Sequence, residues 1–174
     1  MMTPRITDSA LAPLSPGVLP YAPGLRTALA VWQQNGIGMP APQRLVSAGW
    51  QRIADQGVAF DVLYGGGDRP HGFRAMGFGR QLQRDLGVEG GPRLFSAEAP
   101  VSFWLNLTVD AKAPLLAYGA LEPIGAVHRR GEMLFLPLGQ DRRVETVLAV
   151  VAPSAARSGA VVRALSESDA RIRA

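Results

Sequence analysis

Few side chains in this sequence are able to hold a metal or move a proton. The chain has two histidines, His71 and His128, fourteen Asp and Glu residues, and no cysteine. Without cysteine there is no disulfide framework, no thiolate-bound zinc or iron–sulfur cluster, and no thiol nucleophile. Flavin chemistry that passes through a cysteinyl adduct is excluded for the same reason. Neither histidine stands at a zinc or facial-triad spacing from another His, Asp or Glu. Either could in principle serve as an axial haem ligand, but both lie beside turns at strand starts, where exposure is expected. The serines gather towards the termini and no Gly-x-Ser-x-Gly elbow occurs, so Ser-His-Asp catalysis has no support. The expectation is no metal and no cofactor.

Glycine patterns offer phosphate chemistry only weakly. Gly65-Gly66-Gly67 is followed by no Gly-Lys-Ser/Thr and leads into a strand rather than a helix, which makes it a hairpin turn. Gly77-x-Gly79 lacks the third glycine of a dinucleotide fingerprint and reads as a strand end. The carboxylates Asp85, Glu98, Asp110, Glu122 and Glu132 are dispersed, mostly at element ends, where capping or solvation accounts for them. Asp61 is different. It falls mid-strand between Ala59 and Leu63, and if that face is buried it needs a partner such as Arg74 on the next strand. A structural ion pair is the preferred reading, with a small enzyme site at Asp61 and Arg74, beside His71, as an alternative.

Composition narrows the partners. Of 174 residues, 47% are hydrophobic and 18% charged, enough apolar surface for one domain with a proper core. No run approaches the roughly 18 apolar residues that cross a bilayer, and the first 23 residues have no continuous apolar region of the kind a secretory leader needs. The expected address is the cytoplasm, with no membrane partner. A net charge of +4 invites nucleic acid, but the arginines are scattered, and Arg129-Arg130 and Arg142-Arg143 are the densest pairs. No basic face with interleaved aromatics emerges, so nucleic acid is not expected either.

The elements that position these residues follow from periodicity. Residues 1–24 read as a flexible lead-in, 25–153 as one domain, and 154–174 as a polar tail or helix. Leu25, Leu29 and Trp32 form one stripe of a first helix, ended by Asn35-Gly36. A second helix is expected from Pro42, with Leu45, Val46, Gly49, Trp50 and Ile53 along one face and Asp55-Gln56-Gly57 at its end. Alternation then begins. Val58, Phe60, Val62 and Tyr64 share one face of a strand, and His71 to Phe78 returns with Phe73 and Ala75 on one side and Arg74, Met76 and Phe78 on the other. A short helix carries Leu82 and Leu86 and stops at Gly87. From Pro100 to Asp110 a second inserted helix is apolar over so wide an arc that little of it should be exposed. Three strands follow, near 115–121, 127–138 and 144–152. The last scarcely alternates, as expected of a central strand covered on both faces, and Asp141-Arg142-Arg143 is the solvated tip before it.

This order makes the chain α+β, with a five-stranded antiparallel sheet, helices inserted between strands two and three, and a helical pair in front. That is the arrangement of a PAS domain. Three stretches resemble short single-domain bacterial PAS proteins: His71 to Gly87, Glu132-Met-Leu-Phe-Leu-Pro-Leu-Gly139, and Arg143-Val-Glu-Thr-Val-Leu-Ala-Val-Val151. The resemblance covers about Leu25 to Pro153. It implies a non-catalytic sensory or regulatory module with a cavity between sheet and inserted helices. Phe78, Trp104, Leu107, Tyr118 and Phe135 would line that cavity, for a small apolar ligand. A filled core is the competing expectation. In that case the chain is a protein-interaction module, and Leu25, Leu29 and Trp32 dock on a second copy. The helix carrying Trp32 is the candidate for a bistable output element.

Overall fold

The computed structural model describes residues 10–13, 19–34, 38–87, 90–121, 124 and 129–154. Among these residues, seven strands form one antiparallel sheet: β1 (Ala10–Pro13), β2 (Gly57–Tyr64), β3 (Pro70–Phe78), β4 (Arg93–Ser96), β5 (Leu115–Ala120), β6 (Arg130–Gln140) and β7 (Arg143–Pro153). Their order across the sheet is β1-β5-β6-β7-β2-β3-β4. The described residues also form four α-helices: α1 (Pro23–Gln33), α2 (Ala48–Ala54), α3 (Arg80–Leu86) and α4 (Pro100–Ala111). The α+β class is as read from the sequence, but the sheet has seven strands rather than five. The two additions, β1 and β4, are four-residue edge strands, too short to carry an alternation signal. The first of them falls inside the stretch read as a flexible lead-in and pairs with β5.

β7 lies fourth of seven, at the centre, with β6 and β2 as its neighbours. Both of its faces are covered, which is why its sequence does not alternate. Val147, Ala149 and Val151 face a cluster built with Phe60, Phe73 and Phe135, over which α3 and α4 lay Leu82, Val101, Trp104, Leu105 and Val109. Leu148 and Val150 face the opposite way, where Leu116, Leu134, Leu136 and Leu138 meet Leu25 and Leu29 of α1 and Trp50 and Ile53 of α2. The molecule is thus a three-layer sandwich of helices, sheet and helices. Each fully buried Leu or Phe contributes about 1.5–3 kcal/mol relative to exposure.

Two local departures from the expected pattern have identifiable causes. The second helix breaks in two. Pro42–Val46 is a 3₁₀ turn, Ser47 is extended with ψ 150°, and α2 starts at Ala48. The Ser47 hydroxyl donates to the Arg44 carbonyl at 2.7 Å, the local side-chain bond that competes with helix continuation. Val46 and Gly49, expected on the buried face, are therefore exposed. The second departure is a bulge in β3. Val58 pairs with Phe78 but Phe60 pairs with Ala75, so two steps of β2 face three of β3. Gly77 sits in the extra position with φ +135°. This carries Phe78 across to the side of Phe73 and Ala75, where it packs against the α4-side cluster, opposite to the face that strict alternation gives.

Among the described residues no helix is long and apolar enough to cross a membrane. His128, Glu122, the Asn35-Gly36 cap and the tail beyond Ser154 lie outside the described residues.

Candidate functional site

Between the sheet and α4, where a cavity was expected, aromatic rings meet one another. Trp104 stacks on Phe135 with centroids 6.4 Å apart and planes 13° from parallel. Phe103 meets Trp104 edge-on at 5.3 Å, and Phe60 meets Phe95 at 5.8 Å. Phe60, Phe73, Leu105 and Phe135 are fully buried, and Trp104 nearly so. Phe78 and Leu107 are half-buried at the margin of the same cluster. Tyr118 is not part of it. On β5 the cluster takes Leu115 and Ala117, while Leu116 belongs to the opposite layer. Alternation along the strand puts Tyr118 on the Leu116 side, where the Arg130 guanidinium lies 5.9 Å from its ring centroid. The expected lining is therefore split across the sheet. Nor is α4 wholly covered, since Phe103 is 43% exposed.

The stripe on α1 is spent within the chain. Leu25 and Leu29 are buried against the sheet, and the Trp32 indole N–H donates to the Pro137 carbonyl at 2.8 Å. These residues are not free to dock on a second copy, because the outer face of the sheet itself needs covering. A further clamp holds the helix start. α1 has neither a side-chain cap nor an acidic residue in its first turn. Glu132 of β6 fills that role from a distance, its two carboxylate oxygens accepting from the Tyr21 and Ala22 N–H groups at 2.8 and 2.6 Å. Sequence reading classed Glu132 as a dispersed carboxylate, and only the tertiary fold brings it to a helix 110 residues earlier.

Asp61 and Arg74 are register partners on β2 and β3, joined by a 2.9 Å ion pair. Thr146 of β7 adds a long hydroxyl contact to Asp61 at 3.4 Å. The pair lies on the half of the α1-side face that α1 and α2 leave open, with side chains 29% and 51% exposed. Leu94 is Arg74's partner on β4, and it and Met76 are exposed on the same open surface. His71 is exposed at the start of β3. Among the described residues no group of three His, Asp or Glu side chains converges as a metal site.

Among the described residues, concave surface is found at the end of the sheet where the β6–β7 hairpin turns. Two clefts flank a ridge made by Lys112, Asp141 and Arg142. One, of about 510 Å³, is lined also by Trp32, Gly38, Met39, Gly139 and Gln140. The other, of about 580 Å³, runs along Tyr64, Asp68, Arg69, Val109, Asp110, Arg143 and Val144. The Tyr64 hydroxyl donates to the Val144 carbonyl at 2.7 Å, and the Arg143 guanidinium lies 4.0 Å from the Tyr64 ring centroid, a cation–π contact. Burial is the main cause that pushes the Tyr64 hydroxyl above its ordinary pKa, with Arg143 opposing it. The ridge residues have a backbone property in common. Lys112, Asp141 and Arg142, with φ of 52°, 49° and 66°, are the positive-φ non-glycine positions among the described residues. Gly139 is glycine by necessity there, because a Cβ would run into the Arg143 carbonyl oxygen. The sequence marked Asp141 to Arg143 as a solvated tip; it had no means of showing that the end of α4, the linker after α1 and the 65–69 turn converge on that tip.

In comparisons with known proteins, no family model matches the chain, and no curated protein or solved structure matches it either.

Proposed function

We propose that this chain is a regulatory module of PAS type, without catalytic activity of its own, that works by protein contact rather than by enclosing a small molecule in its core. The supporting observation is the arrangement of the long strands. β2, β3, β5, β6 and β7 form the middle of the sheet, α3 and α4 fall between the second and third of them, and the first and last are neighbours. The fold class alone does not carry function. The closed reading draws its support from the Trp104–Phe135 stack and the buried Phe60, Phe73 and Leu105 in the space a ligand would take. The non-catalytic reading draws its support from the placement of Asp61 and Arg74 on an open sheet face instead of in a cavity.

The partner is a second copy of this chain, met through the open half of the sheet. Met76 and Leu94 expose apolar surface there, 52% and 75% accessible, beside Asp61 and Arg74. A two-fold axis would bring each carboxylate to the other copy's guanidinium, the self-complementarity an isologous interface needs. Light scattering over a concentration series should show a dimer, and Met76→Glu with Leu94→Glu should return a monomer of unchanged circular dichroism. A chain that stays monomeric at every concentration removes the homodimer. A small molecule that binds at one per chain and shifts the indole N–H resonance of Trp104, in the core cluster, rather than that of Trp32 removes the closed core.

A further inference from the structure

We infer that the cleft beside Trp32 is a binding site for a small amphipathic organic anion, a carboxylate or phosphate ester on an apolar body. The inference is independent of the dimer and of the closed core. Its walls and its charges point the same way. Trp32 and Met39 give an aromatic and a thioether surface, while Lys112, Arg142 and Asp141 supply two cations against one carboxylate. At about 510 Å³ the cleft falls in the size range of small-molecule sites.

The cations are available. The ion pairs among the described residues join Arg74 to Asp61 and Arg80 to Asp55. Neither Lys112 nor Arg142 is in one, although Asp141 lines the same cleft. An anion can therefore bind them without first breaking a protein contact. The Trp32 ring is already fixed, since its indole N–H is committed to the Pro137 carbonyl. Pro40, next to Met39, is held as well, the Gly139 N–H donating to its carbonyl at 2.9 Å. Such a preformed wall lowers the ordering cost of binding.

The backbone supplies the second argument. Lys112 is the left-handed residue that ends α4, a position where glycine is preferred. Arg142 is the second residue of a two-residue hairpin turn with both central φ values positive, where glycine is again preferred. Both positions carry a long cation in place of the residue best suited to the backbone. Strain kept at the rim of a cleft suggests that the side chains are there for what they bind. Lys112 also answers the negative end of the α4 dipole, which would otherwise repel an anion at this spot. Because Trp32 belongs to α1, an occupant would bridge α1, the end of α4 and the hairpin, so its binding would reach the helix that covers the second face of the sheet.

The test is a nuclear magnetic resonance titration of the full chain with phenyl phosphate, benzoate and benzyl alcohol. Either anion should shift the Trp32 indole N–H and the backbone N–H groups of Lys112 and Arg142, and the stronger of the two identifies the head group. The neutral alcohol should bind at least about tenfold more weakly, since a charge-assisted contact is lost. Lys112→Gly and Arg142→Gly should each weaken the anion by about tenfold, while the urea midpoint holds or rises because the backbone strain is relieved. The inference is overturned if neither anion shifts these signals, if benzyl alcohol binds as well as they do, or if the double variant binds like the parent.

Discussion

The two faces of the central sheet are covered in different ways. On one, α3 and α4 are inserted between β3 and β5, and their side chains close over β2, β3, β5, β6 and β7. On the other, α1 and α2 cover β5, β6, β7 and the start of β2, and no described residue covers the surface over β3 and β4. The first face is fastened mainly by packing, with polar contacts at the starts of its helices, the Leu82 N–H donating to the Asp55 carbonyl and the Ser102 hydroxyl to the Ser96 carbonyl. The second is fastened by packing plus a few long-range polar contacts at the ends of α1, namely Glu132 to Tyr21 and Ala22, and Trp32 to Pro137. A helix that belongs to a hairpin crossover is held in place by its own connections. α1, which lies before the long strands in the chain, is held at its two ends by contacts to β6.

The largest expected effect lies on the fully packed face. Phe135 is buried and stacked under Trp104, so Phe135→Ala should cost about 3–5 kcal/mol, read as a fall in the urea midpoint with an unchanged slope. If this layer encloses an unfilled space, the loss will be well below that range and the contrast between the two faces will fail. Glu132→Ala acts on the anchored face. It removes two charge-assisted bonds at the start of α1 and should cost about 1–2 kcal/mol. Hydrogen exchange should separate the two variants. Glu132→Ala should speed exchange selectively in α1, while Phe135→Ala speeds it throughout. Uniform exchange in both would mean that α1 does not open separately from the rest.

The same contrast explains what the sequence could disclose. Packing periodicity is local, so the five long strands, the inserted helices and the central position of β7 could be read from their apolar spacing. The Asp61–Arg74 pair could also be read, because it follows from hairpin register. What escaped depends on meetings between distant residues. Phe78 changed face because one glycine inserted a bulge, and Tyr118 was assigned to a cavity without knowledge of which face its neighbours took. Leu25 and Leu29 look like an exposed stripe until the outer sheet face that needs them is known. The hairpin-end clefts are assembled from five separate stretches of chain, and no spacing rule links Trp32, Lys112 and Arg142.

The smallest effect belongs to the open half of the second face. Asp61 and Arg74 pair there at 2.9 Å, and a mid-strand carboxylate in a closed layer would make that pair indispensable, since removing one partner strands a buried charge. Here the carboxylate keeps 29% of its surface and the guanidinium 51%, so water solvates whichever charge is left behind. Solvent screening and the entropy of holding a long arginine then bring the pair down to the range of surface bridges, about 0.2–1 kcal/mol. A double-mutant cycle with Asp61→Asn and Arg74→Gln in monomer conditions should return a coupling in that range, and it should fall on adding salt. Carried out where the chain is dimeric, the same cycle should return a larger coupling, because a second copy would exclude water from the row. A coupling that is large and salt-independent in the monomer would mean the open half is already covered, and the asymmetry between the two faces would have to be given up.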